Sequence, residues 1–128
     1  MVDKTKILIE KRFAELNCLG VEPKLYFNVC KLLDRHVCTV IKDGKFYIFP
    51  NKDTKLLITE DKYIKEQDVH ELISDVYGLN DSTIMVIIME WKRDKIIYHN
   101  MNKSMVKYWD YITLPLYSKE TEESIYNF

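Results

Sequence analysis

The dipeptide Asp43-Gly44 constrains the fold of this 128-residue chain more than any other local feature. Asp-Gly readily takes the positive φ angles of a type I′ turn, whose twist matches that of the two strands it joins. Residues typical of β-strands flank it on both sides: Val37, Thr39, Ile41, Phe46, Ile48 and Phe49. The sequence therefore predicts a β-hairpin, with strands near residues 36–42 and 45–50.

Three segments carry apolar residues at the spacing of an amphipathic helix. The first spans residues 3–19 and stops at Gly20, a residue suited to a helix C-terminus. The second opens at Glu22-Pro23, where a proline is tolerated in the first turn, although residues 25–29 would also suit a strand. The third covers residues 65–78 and has acidic side chains near its positive N-terminal end.

Further strands are predicted in the second half of the chain. Residues 83–91 form a run dense in Ile, Val and Met, which indicates a central strand covered on both faces. The charged residues 92–94 would connect it to a partner strand over 95–101. A short strand near residues 55–59 and an edge strand over 106–117 complete the predicted sheet.

These elements do not alternate regularly between strand and helix, which favours the α+β class. We expect a mainly antiparallel sheet built from β-hairpins, with two or three helices packed on it, in one globular domain over residues 1–128. The longest apolar run, residues 84–89, is far shorter than the roughly 20 residues that a bilayer crossing needs. The N-terminus also lacks an apolar signal core, so we expect a cytoplasmic protein without membrane contacts.

Glycine and cysteine usage excludes several kinds of site. With three glycines in the chain, no Gly-rich loop can bring backbone close to a phosphate, so neither a P-loop nor a dinucleotide fingerprint is present. The cysteines contain no Cys-x-x-Cys pair, which favours reduced thiols that pack as small apolar side chains. The sequence therefore predicts no cofactor and no metal site.

The net charge of −1 disfavours a dedicated nucleic-acid binder, because such proteins usually carry a basic excess. A basic and aromatic pattern is present only in weak form around the hairpin, at Lys42, Lys45, Phe46, Tyr47 and Lys52. The near-neutral sum conceals an asymmetry: residues 1–65 carry +4 and residues 66–128 carry −5. If the two halves stay apart in space, the second half presents an acidic face.

No catalytic motif is present, and the histidines are scattered along the chain. His70 is expected on the solvent side of the third helix, close to Glu66 or Ser74. A small enzyme remains one alternative, with a site formed by His36, Cys38 and His99.

Aromatic side chains are abundant, with nine Tyr, five Phe and two Trp. Tyr and Trp combine a large apolar area with a polar group, and they are enriched at protein interfaces. The stretch 108–111 cannot bury all its rings on one side of a strand. Together with the acidic side chains of the second half, it predicts a partner-binding surface formed by Tyr108, Asp110, Tyr111, Glu120, Glu122 and Glu123.

In its size, α+β layout, tyrosine content and divided charge, the chain resembles small bacterial toxin-immunity proteins of the contact-dependent inhibition type. The resemblance implies a non-enzymatic inhibitor that binds a cognate toxin domain. A basic nuclease would be such a toxin, because its phosphate-binding surface would attract the acidic half of the chain. A viral or phage accessory protein that binds a host factor is the other alternative.

Overall fold

The computed structural model describes residues 4–51 and 63–100. Its elements, in chain order, are α1 (Lys4–Cys18), α2 (Pro23–His36), β1 (Val37–Lys42), β2 (Lys45–Pro50), α3 (Glu66–Tyr77) and α4 (Asp81–Asn100). The predicted α+β class is confirmed, and the described residues contain four helices and a two-stranded antiparallel sheet. The strands predicted at 55–59 and 106–117 lie outside the described residues.

The hairpin is confirmed. Asp43 and Gly44 have φ angles of 51° and 74°, as a type I′ turn requires, and Ile41 pairs with Phe46 across the antiparallel strands. The first strand begins at Val37 rather than at His36, which is the last residue of α2. His36 and Cys38 therefore lie on different elements.

We expect Gly44→Ala to lower the free energy of unfolding by about 1–2 kcal/mol, because an L side chain is disfavoured at positive φ. A Cβ at Gly44 would meet no heavy atom within 4 Å, so the backbone conformation is the main source of this cost. Asp43→Asn, which keeps a residue that tolerates the same conformation, serves as the control. Urea denaturation measures both variants, and equal stability of Gly44→Ala and the wild type would contradict the prediction.

The three predicted helices are confirmed as α1, α2 and α3, with ends shifted by a few residues at most. Residues 25–29 lie inside α2, so the helical interpretation of that segment is correct. Helix α3 ends at Gly78, whose left-handed conformation lets its backbone N–H donate to the Ser74 carbonyl at 2.8 Å. This ending leaves a short connection before α4.

The strands predicted over residues 83–91 and 95–101 were wrong, because residues 83–91 and 95–100 belong to α4, and residue 101 lies outside the described residues. The buried apolar side chains of α4 recur at helical spacing, at Ile84, Ile87, Ile88 and Trp91. The exposed positions between them include Met85 and Met89, so the polar face that normally marks an amphipathic helix is absent from this stretch. Residues 92–94, expected to form a turn, continue the same helix.

One apolar cluster joins the helices to the hairpin. Helix α4 contributes its four buried apolar side chains, α3 contributes Val69 and Ile73, and Ile48 of β2 joins the same cluster. The Phe46 ring meets the Trp91 ring edge-on, with centroids 5.5 Å apart. The hairpin is thereby fixed against the middle of α4.

Within residues 4–51 and 63–100, no single helix is long and apolar enough to span a membrane. Only two neighbouring helical segments taken together are long and apolar enough, Glu66–Tyr77 and Asp81–Ile97, and the chain bends by 120° between them.

Candidate functional site

A cavity of about 600 Å³ lies between α3 and the start of α4. This volume is within the range of small-molecule sites in proteins. Its lining side chains are mostly polar: Glu66, Gln67, His70, Glu71, Ser74, Asp75, Asp81 and Met85. We call this space the α3–α4 cleft.

The positions of the lining residues follow from the geometry of the two helices. Glu66, His70 and Ser74 are four residues apart, so they share one face of α3. At the start of α4, the Asn80 side-chain oxygen accepts a hydrogen bond from the Thr83 N–H at 2.8 Å, which caps the helix. The next residue, Asp81, lies with its Oδ1 3.9 Å from the Nε2 of His70. That distance allows charge attraction but is too long for a hydrogen bond.

The cleft combines one imidazole with several negative charges. Its lining includes four carboxylates and, among the described residues, no lysine or arginine. The His70 side chain is 18% exposed, so it is partly covered yet still borders the cavity. Histidine is the side chain that most readily takes up and releases a proton near neutral pH. The arrangement is therefore suited to proton transfer.

A second group of polar side chains is buried between α1, α2 and α4. Arg12 donates to the Asp94 carboxylate at 2.9 Å, and the Tyr26 hydroxyl donates to the same oxygen, Oδ2. The Arg12 guanidinium lies 3.6 Å from the Glu90 carboxylate and 5.2 Å from the centre of the Tyr26 ring. Arg12, Glu90 and Asp94 are buried, with exposed fractions of 7%, 8% and 6%. We call these four residues the Arg12 network.

Burial and ion pairing act in opposite directions on the Arg12 network. Burial raises the pKa of Asp94, while Arg12 and the hydrogen bond from Tyr26 oppose that rise. For Arg12, burial alone lowers the pKa, but Asp94 and Tyr26 outweigh it and raise the pKa above its ordinary value. Because these side chains are almost fully covered and bond to one another, we interpret the network as a structural link between three helices.

Some of the predicted site residues lie within the described part of the chain, and others lie outside it. The six predicted partner-binding residues lie outside the described residues, so that surface stays a prediction: Tyr108, Asp110, Tyr111, Glu120, Glu122 and Glu123. His36, Cys38 and His99 lie on α2, β1 and α4 respectively. In the described part of the chain, no group of three or more His, Cys, Asp or Glu side chains could hold a metal ion.

The sequence could not reveal the Arg12 network, because its members are separated by up to 82 positions. His70 was placed on the correct helix face with Glu66 and Ser74, but this face was expected to meet solvent. It borders the cleft instead, because the segment predicted as a strand is a helix whose first residues lie against α3. The signal for this site that was available in the sequence was the helical spacing of His70 with Glu66 and Ser74.

Residues 66–101 match the model of the Tautomerase family, described as tautomerase enzyme. The match covers little more than a quarter of the chain, and every residue that lines the α3–α4 cleft falls within it. Tautomerases have a β-α-β fold, whereas the described part of this segment consists of α3 and α4. Comparisons with curated proteins and with solved structures give no significant match.

This similarity corrects the interpretation of the chain as a toxin-immunity protein. The matched family consists of enzymes, so the non-enzymatic inhibitor and antitoxin role was wrong, and the enzyme alternative is closer. Of the three residues predicted for that alternative, only His99 falls in the matched segment. Tyrosine content and the opposite charges of the two halves predicted the wrong function, because both describe a surface in general and specify no reaction.

Proposed function

We propose that this chain is an enzyme that catalyses tautomerisation of a carbonyl compound in the α3–α4 cleft. One observation carries the proposal: the segment similar to tautomerases is also the segment that lines a cavity with a partly covered histidine. The similarity supplies the reaction class, and the geometry supplies the side chains.

Tautomerisation relocates one proton and two electron pairs. A base removes a proton from the carbon next to a carbonyl group, and the electrons of the C–H bond form a carbon–carbon double bond. The π electrons of the carbonyl move to its oxygen, which then takes a proton, so the substrate is neither oxidised nor reduced. The chemistry requires an acid–base group held against the substrate and needs no cofactor.

His70 is the group in the cleft best suited to this task. Its imidazole takes the proton from carbon and delivers it to oxygen, so one side chain serves as base and then as acid. The positive charge that the ring carries between the two steps is stabilised by the carboxylate of Asp81, whose Oδ1 lies 3.9 Å away.

The charge of the cleft restricts the substrate. Four carboxylates border the cavity, and no described lysine or arginine lies on its lining. Although Glu66 is paired with Lys92, the other three carboxylates would repel an anionic substrate. A neutral or positively charged carbonyl compound meets no such penalty. We therefore assign this class of substrate to the site.

Three ketones of similar size but different charge test the proposal: aminoacetone, hydroxyacetone and pyruvate. Exchange of their methyl protons with D₂O, followed by NMR, reports proton removal from carbon. We expect the value of kcat/KM for the cationic and neutral ketones to exceed that for pyruvate by about tenfold or more at low salt. Added salt should narrow the difference, because it screens the carboxylates.

Fastest exchange with pyruvate would contradict the assigned substrate class while leaving the reaction class intact. No exchange above the buffer rate with any of the three would count against the proposed reaction. Heat-denatured protein at the same concentration is the control for catalysis by exposed side chains.

A further inference from the structure

A second cavity, of about 530 Å³, lies where β2, residues 63–66 and α4 meet. The backbone N–H of Ile64 donates to the carbonyl of Ile48 at 2.7 Å, which holds residues 63–66 beside the hairpin. We call this space the hairpin cavity. Its lining residues differ from those of the α3–α4 cleft, apart from Glu66, which borders both cavities.

The charge of the hairpin cavity is opposite to that of the α3–α4 cleft. Three lysines border it, Lys45, Lys65 and Lys92, against the single carboxylate of Glu66 among the described lining residues. Lys92 is bonded to that carboxylate, which leaves two lysines in excess. In a chain whose net charge is −1, this is a local concentration of positive charge.

Aromatic rings form much of the remaining wall. The rings of Tyr47 and Tyr63 meet at a steep angle of 73°, with centroids 6.3 Å apart. The Phe46 ring is held by its edge-on contact with Trp91, and the Lys92 Nζ lies 5.7 Å from its centre. Fixed rings beside a cation provide stacking surface for a planar group and a counter-charge for an anion.

We propose that the hairpin cavity binds a nucleoside monophosphate. The base stacks on the face of one of the two tyrosine rings, since every base has a face that can stack on an aromatic side chain. The phosphate, with nearly two negative charges at neutral pH, is bound by the three lysines. Lysine side chains thus take the place of the backbone N–H groups with which a Gly-rich loop binds phosphate elsewhere.

Binding also displaces an internal competitor. The Lys92 ammonium is held by Glu66 in the free protein, so the phosphate must replace that carboxylate. Neutralising Glu66 should therefore strengthen binding, whereas neutralising Lys92 should weaken it. This opposite pair of effects distinguishes a site at Lys92 from general attraction to the protein surface.

Isothermal titration calorimetry with adenosine monophosphate (AMP) tests the proposal on the full chain. Adenosine, which lacks the charge, and inorganic phosphate, which lacks the base, are the matched controls, and each should bind at least about tenfold more weakly than AMP. Lys92→Met should weaken AMP binding by about tenfold or more. Glu66→Gln should strengthen it by about threefold.

Lys95→Met is the matched control variant. Lys95 lies on the same helix, its side chain is 28% exposed like that of Lys92, and it also pairs with a carboxylate, that of Asp34. We expect this variant to bind AMP as the wild type does, and circular dichroism confirms that each variant is folded.

Three results would overturn the proposal: no AMP binding at millimolar concentration, equal binding of AMP and inorganic phosphate, or equal weakening by Lys92→Met and Lys95→Met. Because the readout is binding and not turnover, the test is independent of the proposed tautomerase activity.

Discussion

Replacing His70 with glutamine lowers kcat for carbonyl tautomerisation by about 10²–10⁴-fold, the range typical of a lost acid–base group. Glutamine can hydrogen-bond but cannot take up a proton at neutral pH, so the cleft keeps its polarity and loses its base. The measurement is deuterium exchange into hydroxyacetone at saturating concentration, with the wild type measured in parallel.

His99→Gln is the matched control for His70→Gln. His99 also lies on a helix of the matched segment, but it is exposed near the end of α4 and is not among the residues that line the cleft. We expect its kcat to stay within about twofold of the wild type, because the reaction does not use it. Equal rates for His70→Gln and the wild type would remove His70 from the mechanism.

Replacing Asp94 with alanine destabilises the fold by about 3–5 kcal/mol, because it leaves the Arg12 charge buried without its closest partner. Asp94 accepts the 2.9 Å hydrogen bond from Arg12 and the bond from Tyr26, so a single substitution releases both donors. Urea denaturation at pH 7 measures the loss. A change below about 1 kcal/mol would show that the network does not hold the helices together.

Two further variants separate buried charge from ion pairing in general. Arg93→Met removes a neighbouring ion pair, in which Arg93 lies 3.6 Å from Glu90 and is itself 56% exposed. We expect this variant to lower the free energy of unfolding by less than about 1 kcal/mol. The double variant Arg12→Met/Asp94→Leu removes both buried charges together. We expect it to recover at least half of the stability that Asp94→Ala loses, because neither partner is left unpaired.

Local signals predicted the hairpin and three helices, because each depends on residues close together in sequence. Asp43-Gly44 specifies the turn by its own conformational preferences, and Gly78 ends α3 in the same way. Helix α4 was missed because its isoleucines favour strands locally, while packing of Ile84, Ile87 and Trp91 against the core requires helical spacing. Tertiary burial thus outweighed local propensity.

The same error kept the candidate site from being predicted. While residues 83–91 were expected to form a strand, nothing in the sequence placed Asp81 opposite His70. The Arg12 network was hidden for a different reason: Arg12, Tyr26 and Asp94 lie on three helices, and one sequence does not show which polar residues meet across a core. Surface composition predicted the wrong function, because function depends on the geometry and chemistry of a site, which composition does not specify.

The most direct test of the account is the number of deuterium atoms that wild-type protein introduces into propiophenone in D₂O. This neutral ketone has only two exchangeable carbon-bound protons, both on one methylene group. A single base at a fixed position exchanges only one of them, so mass spectrometry should show a rapid plateau at one deuterium per molecule. Exchange of both protons at the rate seen in buffer alone would contradict the claim that the α3–α4 cleft catalyses proton transfer.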